Sequence, residues 1–174
     1  MKRFAFFVAA VVTVAGFVAS VVPAPGHADQ TSATPIFLTE IPAGYREWKW
    51  ISSAHEAGSL NSLGGVLGND IAFKAFQEGK WPFPDGAIIA ALHYHHVPSE
   101  ENNKVFGQAQ SFVPGAPTNV QFMVKDSVKY AATGGWGFGH FQNGKPADAA
   151  FLKPCFPCHA QAKATDLVFT HYAP

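Results

Sequence analysis

The chain is poor in sulfur, in net charge and in long apolar stretches. Only two cysteines, Cys155 and Cys158, occur in 174 residues, so the disulfide framework that staples many small secreted domains is excluded. Acidic and basic residues balance at twelve each, which removes any electrostatic case for nucleic acid or an anionic membrane surface as partner. One apolar run stands out, the 19 residues from Phe4 to Val22. Lys2 and Arg3 precede it and the small residues of Gly26-His27-Ala28 follow it, the pattern of a signal peptide cleaved before Asp29. A membrane anchor is the alternative, because a span needs about 20 residues, but the basic start and small-residue end favour cleavage. Residues 1–28 are therefore set aside as signal. No second run of that length follows, so no membrane attachment is expected once the signal is gone, and the location is periplasmic or otherwise exported.

The remaining 146 residues suffice for one domain with one core. Sixteen glycines and thirteen prolines, spread among sixteen phenylalanines, argue against both a long-helix bundle and disorder. Residues 29–44 form a polar, proline-containing arm, and residues 45–174 the domain proper. Tyr45 to Ile51 reads as a half-buried strand with Trp48 and Trp50 on one side. Ser52 to Gly68, rich in breakers, reads as loop. Asp70 caps a short helix over Ile71 to Glu78 closed by Gly79, with Ile71, Ala75 and Phe76 inward. After the Pro82 to Gly86 turn, Ala87 to Val97 is a strand that becomes His-rich. Ser99 to Lys104 reads as a polar loop and Val105 to Val113 as a strand before a turn at Pro114-Gly115-Ala116-Pro117. Asn119 to Val124 is extended, with Val120, Phe122 and Val124 on one face and Gln121 and Met123 on the other. Asp126 caps a helix over Ser127 to Thr133, and Trp136 to His140 alternates large and small residues as a strand does. The expected fold is α+β, a predominantly antiparallel sheet with a few short helices.

Cys155-Phe156-Pro157-Cys158-His159 is the C-x-x-C-H attachment sequence of c-type haem. Two thiols suit thioether bonds to the haem vinyl groups, and the adjacent imidazole suits the proximal position on iron. A redox disulfide and half of a zinc site are the competing readings. Zinc would want two further ligands close by, and a thioredoxin-like motif would sit early in a βαβ unit. Neither context is present, and one covalently attached haem c is the better account.

Only 15 residues follow His159, none of them Met, so the layout is not that of small electron-transfer cytochromes with a downstream Met ligand. Met123 is the one internal methionine, and a lone Met is more often core filler than ligand. A five-coordinate iron with an open distal face is therefore expected. The helical-bundle cytochromes that also carry the motif late do not fit a turn-rich, aromatic chain.

Tyr45-Arg46-Glu47-Trp48, the Phe83-Pro84-Asp85-Gly86 turn, Val124-Lys125-Asp126, Gly135-Trp136-Gly137-Phe138, and Cys155 to His159 followed by Thr165-Asp166-Leu167-Val168-Phe169-Thr170 together resemble the cytochrome P-460 family, from about residue 45 to Pro174. The resemblance implies a homodimer of antiparallel-sheet domains, one haem c per chain and His159 as axial ligand. Catalytic members of that family oxidise hydroxylamine, whereas the related cytochromes c′-beta bind nitric oxide. In the oxidising members a Lys cross-links the porphyrin and a pocket carboxylate assists proton transfer. Counted from the motifs, the Lys position falls on Ala91 and the carboxylate position on Gln121, which cannot accept a proton at neutral pH. The cross-linked chromophore is therefore expected to be absent.

His93 shares a strand face with Ala91, so it is a distal candidate for hydrogen-bonding a ligand or occupying the sixth site. His93, His95 and His96 as a second metal site is the weaker alternative. Phe122, Trp136 and Phe138 are candidates to cover the haem or else ordinary core, and His140 lies on the Trp136 and Phe138 face. The expected function is capture of nitric oxide or a related small nitrogen species, with redox turnover against an external electron acceptor or donor as an extension. The alternatives are a hydroxylamine-oxidising enzyme, and an electron-transfer cytochrome whose sixth ligand is Met123 or His93.

Overall fold

A computed structural model describes residues 36–174. The signal reading of residues 1–28, and the arm up to residue 35, lie outside them. Six antiparallel strands follow one another across one sheet in chain order. They are β1 (Lys49–Glu56), β2 (Ser62–Gly68), β3 (Ile88–Pro98), β4 (Phe112–Lys125), β5 (Trp136–Gln142) and the short β6 (Lys145–Pro146). Helix α1 (Asp70–Glu78) crosses between β2 and β3, and α2 (Glu100–Phe106) lies in the β3–β4 connection. After the sheet come two short helices, α3 (Ala149–Leu152) and α4 (Cys155–His159). The α+β expectation holds.

Strand alternation divides the apolar residues between the two faces. Ile89, Met123 and Phe138 pair across β3, β4 and β5. They join Trp136, the Ala72, Ala75 and Phe76 face of α1, and Val168 of the C-terminal segment in the larger cluster. On the other face Ala90, Phe122 and Phe141 pack with Tyr45, Trp48 and Leu38. Gln121 and Met123 on one side of β4 and Phe122 on the other follow the expected alternation.

Several local expectations are overturned. Ser52 to Gly68 is not loop: β1 runs on to Glu56 and β2 begins at Ser62. Gly64 and Gly65 have low strand propensity alone, but β2 is paired on both edges, and Gly65 makes room for the half-exposed Trp50 ring, which would lie 3.0 Å from a Cβ there. Tyr45–Glu47 is a 3-10 turn rather than the start of a strand. The N-cap of α1 is Asn69, whose side chain accepts from the Ala72 amide. That one-residue shift turns Ala72 inward and leaves Ile71 exposed. Ser99 to Lys104 is largely helix, because the Ser99 hydroxyl caps α2 and Glu100 and Glu101 sit in its first turn, where the helix dipole favours them. Val105 and Phe106 end that helix exposed instead of opening a strand, and Pro114 to Pro117 lies within an irregular stretch of β4. After Asp126 the chain makes turns and a 3-10 segment, Ala131–Thr133, rather than a helix.

Gly137 sits under the Tyr130 ring, close enough that any Cβ would collide with it, and Tyr130 is itself buried. Gly137→Ala is expected to cost about 1–3 kcal/mol through overpacking. Urea denaturation checks this, and an unchanged midpoint would refute the close approach.

Candidate haem-binding site

The short helix α4 gathers the motif. Cys155 and Cys158 are three residues apart on it, which places both on one helical face. Both thiols are free, Cys155 partly buried and Cys158 exposed. Burial pushes the Cys155 thiol above its ordinary range, which disfavours its thiolate.

His159 ends the helix with its ring between Phe138 at 5.1 Å and Phe169 at 5.0 Å. Its Nδ1 lies 2.8 Å from the carbonyl oxygen of Leu167. A carbonyl only accepts, so Nδ1 is the donor, and in the neutral ring Nε2 keeps its lone pair. Burial lowers the imidazole's pKa, and the hydrogen bond to Leu167 draws it partway back. The result is a neutral imidazole with one nitrogen fixed and the other available to a metal.

Beside α4 lies an open cleft of about 990 Å³ bordered by Gln121, His140, Phe151, Cys155, Cys158 and His159. A recess of about 60 Å³ continues from it beneath Ile89, Met123 and Phe138. Two thiols on one helical face, a neutral imidazole with Nε2 free and a mostly apolar cleft are the donor set and space that a c-type haem requires. The residues present fit the group.

The distal candidates separate when placed. Ala91 pairs with Gln121, and Gln121 with His140, so a methyl, an amide and an imidazole form one row across β3, β4 and β5. His93 stands one step along β3 on the same face, paired with Asn119. Its ring is 12% exposed, and its Nδ1 is 3.6 Å from Glu56 Oε2, an oxygen that also accepts from the Ser62 hydroxyl at 3.1 Å. Met123 and Phe138 border the recess. Phe122 borders it too, but its ring packs on the opposite face, edge-on to Tyr45 at 5.2 Å. Trp136 borders neither cavity. It is 0% exposed, and its indole N–H donates to the Asp166 carbonyl at 2.8 Å. His96 is stacked between His55 and Phe112, each at 4.2 Å, and no cluster of three metal-binding side chains occurs among the described residues. The second-metal alternative is withdrawn.

Three contributors were missed. Glu56 was hidden by the loop reading of its segment. Phe169 carried no signal apart from the family resemblance. The Leu167 carbonyl is a backbone atom with no side-chain signature.

An antiparallel sheet with a C-terminal C-x-x-C-H helix closing one face defines a β-type c-cytochrome domain, distinct from the helical classes. Consistent with that class, the family model for Cytochrome P460 matches residues 42–170, and the chain belongs to this family. Membership implies a haem c cofactor. No curated protein sequence matches the chain.

Stability should depend on pH through the partly buried histidines. Burial lowers the pKa of His93, against an opposing pull from Glu56, and lowers that of His140, with His93 adding to the effect. An unfolded histidine protonates near about pH 6.5, so below that the unfolded chain binds more protons than the folded one. Stability is then complete above about pH 6.5 and falls as the pH drops toward the lowered folded values. With a metal bound through Nε2, His159 would drop out of the titration. Urea unfolding of the holoprotein between about pH 7.5 and pH 5 should show this decline, flattened in His93→Gln and His140→Gln. A flat wild-type profile would contradict it.

Proposed function

We propose that the protein is an exported mono-haem c-type cytochrome with an open distal site that captures nitric oxide or a related small nitrogen species. Cys155 and Cys158 would carry the covalent attachment, and His159 Nε2 would bind the iron. When bound there, the haem supplies a coordination site for the ligand and a one-electron redox couple. The chain does the rest: Leu167 would orient the imidazole on the iron, Phe138 and Phe169 flank its ring, and Ile89 and Met123 supply apolar wall to the inner recess.

The observation that carries the reading is Gln121 at the cleft wall, paired across the sheet with Ala91. Neither side chain offers an amine for a porphyrin cross-link or a carboxylate to take a proton. Hydroxylamine oxidation requires proton removal, whereas holding a diatomic requires only an accessible, weakly polar pocket. Capture is therefore favoured over turnover. The third reading, electron transfer with the sixth site closed, finds support in Met123 at the recess, but that side chain is packed into the core between Ile89 and Phe138.

Purified holoprotein should gain the mass of one haem, and Cys155→Ala with Cys158→Ala should abolish the covalent addition. Its ferrous spectrum should be high-spin without the shifted band of a cross-linked porphyrin, and nitric oxide should bind anaerobically. Mixing with hydroxylamine and an electron-accepting dye should give little turnover. Rapid dye reduction would overturn capture in favour of the enzyme reading. A low-spin spectrum that Met123→Ala converts to high-spin would favour electron transfer.

A further inference from the structure

The segment that orients His159 has an unusual backbone. Asp166 and Leu167, neither of them glycine, both adopt left-handed conformations, with φ of 51° and 67°. Consecutive residues of this kind are costly and persist only where the surroundings over-determine them. The surroundings here do so. Lys125 Nζ donates to both Asp166 carboxylate oxygens, at 3.0 and 2.8 Å. The Phe83 amide donates to Asp166 Oδ2 at 2.9 Å, and the Trp136 indole donates to the Asp166 carbonyl at 2.8 Å. The Leu167 amide closes back on the Ala162 carbonyl at 2.8 Å.

The lysine is held as firmly as the carboxylate. It lies at the end of β4, 5% exposed, donates to the Gly134 carbonyl at 3.0 Å and sits 5.0 Å over the Trp136 ring. Among the described residues its pair with Asp166 is the least exposed ion pair, the two side chains being 6% and 13% exposed. Such a pair adds little net stability over a well-packed apolar replacement, and its best-attested use is to fix one arrangement out of several. The arrangement fixed here is the one that turns the next carbonyl, that of Leu167, onto His159.

We propose that Lys125 and Asp166 are positioning residues for the axial imidazole. By pinning the Asp166-Leu167 turn to the sheet they set the strength of the His159–Leu167 hydrogen bond, and through it the reduction potential of the haem site. The inference rests on the haem reading above. The physical link is the basicity of the ligand: a firm hydrogen bond from Nδ1–H makes Nε2 a stronger donor to iron and favours the oxidised state. Loosening the turn weakens the bond and shifts the balance toward the reduced state.

The test uses holoprotein with the attached haem first verified by mass. Lys125→Met keeps a long unbranched side chain, one atom shorter, and removes the charge. Its reduction potential should rise, lowering the oxidised-to-reduced ratio at fixed poise by up to about tenfold, or about 59 mV for one electron. The iron–histidine stretching frequency of the ferrous form should fall with it. Lys125→Arg, which restores a cation, should return both readouts toward wild type. Phe141→Leu, a core change on the opposite face, should lower stability and leave both unmoved. Should Lys125→Met not yield folded holoprotein, Asp166→Asn, which keeps an acceptor for the Phe83 amide, is read the same way. Unchanged potential and stretching frequency in the charge-deleted variant, or an equal shift in Phe141→Leu, would show the pair to be a fold element only. Absence of haem from the wild type would instead defeat the haem reading, and this inference with it.

Discussion

A neutral imidazole can offer only one of its nitrogens to a metal, and the carbonyl of Leu167 decides which one is left over. At 2.8 Å from Nδ1 it claims the single proton of the ring, so Nε2 is the free donor. Much of the C-terminal segment can be understood from this requirement. Thr165 donates to the Ala162 and Val168 carbonyls, which closes the turn on itself. Trp136, buried in the sheet, ties the turn to the core through its indole. Without this bracing the last 15 residues would be a tail on a five-residue helix.

The sheet supplies the other half of the constraint. Because side chains alternate, β4 serves two cores at once: Phe122 fills one face while Gln121 and Met123 turn toward the other. Glycine at 137 and 139 in β5 lets Tyr130 and Leu38 approach the sheet closely. Trp136 and Phe138 can then occupy the face that α4 closes. A slip of one residue in β4 would exchange the amide and thioether beside the cleft for phenylalanine and valine.

What could be read in the sequence follows from how local each signal is. The C-x-x-C-H spacing is complete within a single turn of helix, so it needed no tertiary information. The alternation from Asn119 to Val124 was legible because period two survives wherever a strand has one covered face. Ser52 to Gly68 was misread because glycine propensity is local while pairing on both edges is not. Lys125 and Asp166 stand 41 residues apart, and nothing in either neighbourhood announces that a lysine beside Val124 is buried. Their motifs entered only through family resemblance, which carries no account of what they do. The Glu56–His93 contact was out of reach for the same reason, since it joins β1 to β3 across β2.

The chemistry open to the cleft depends on which of its neighbours can take a proton. In the row of Ala91, Gln121 and His140, Ala91 has no polar side-chain atom and the amide of Gln121 exchanges hydrogen bonds without changing charge. His140 is the one ionisable member, and burial together with His93 disfavours its cationic form. Glu56 is held by Ser62 and faces His93, so its charge is directed at an imidazole one step removed from the row. A proton leaving a ligand beside His140 would thus meet a neutral imidazole, a base of modest strength. That arrangement stabilises no developing positive charge on a substrate. Within the proposed capture reading, an uncharged diatomic is the ligand whose binding the row least opposes.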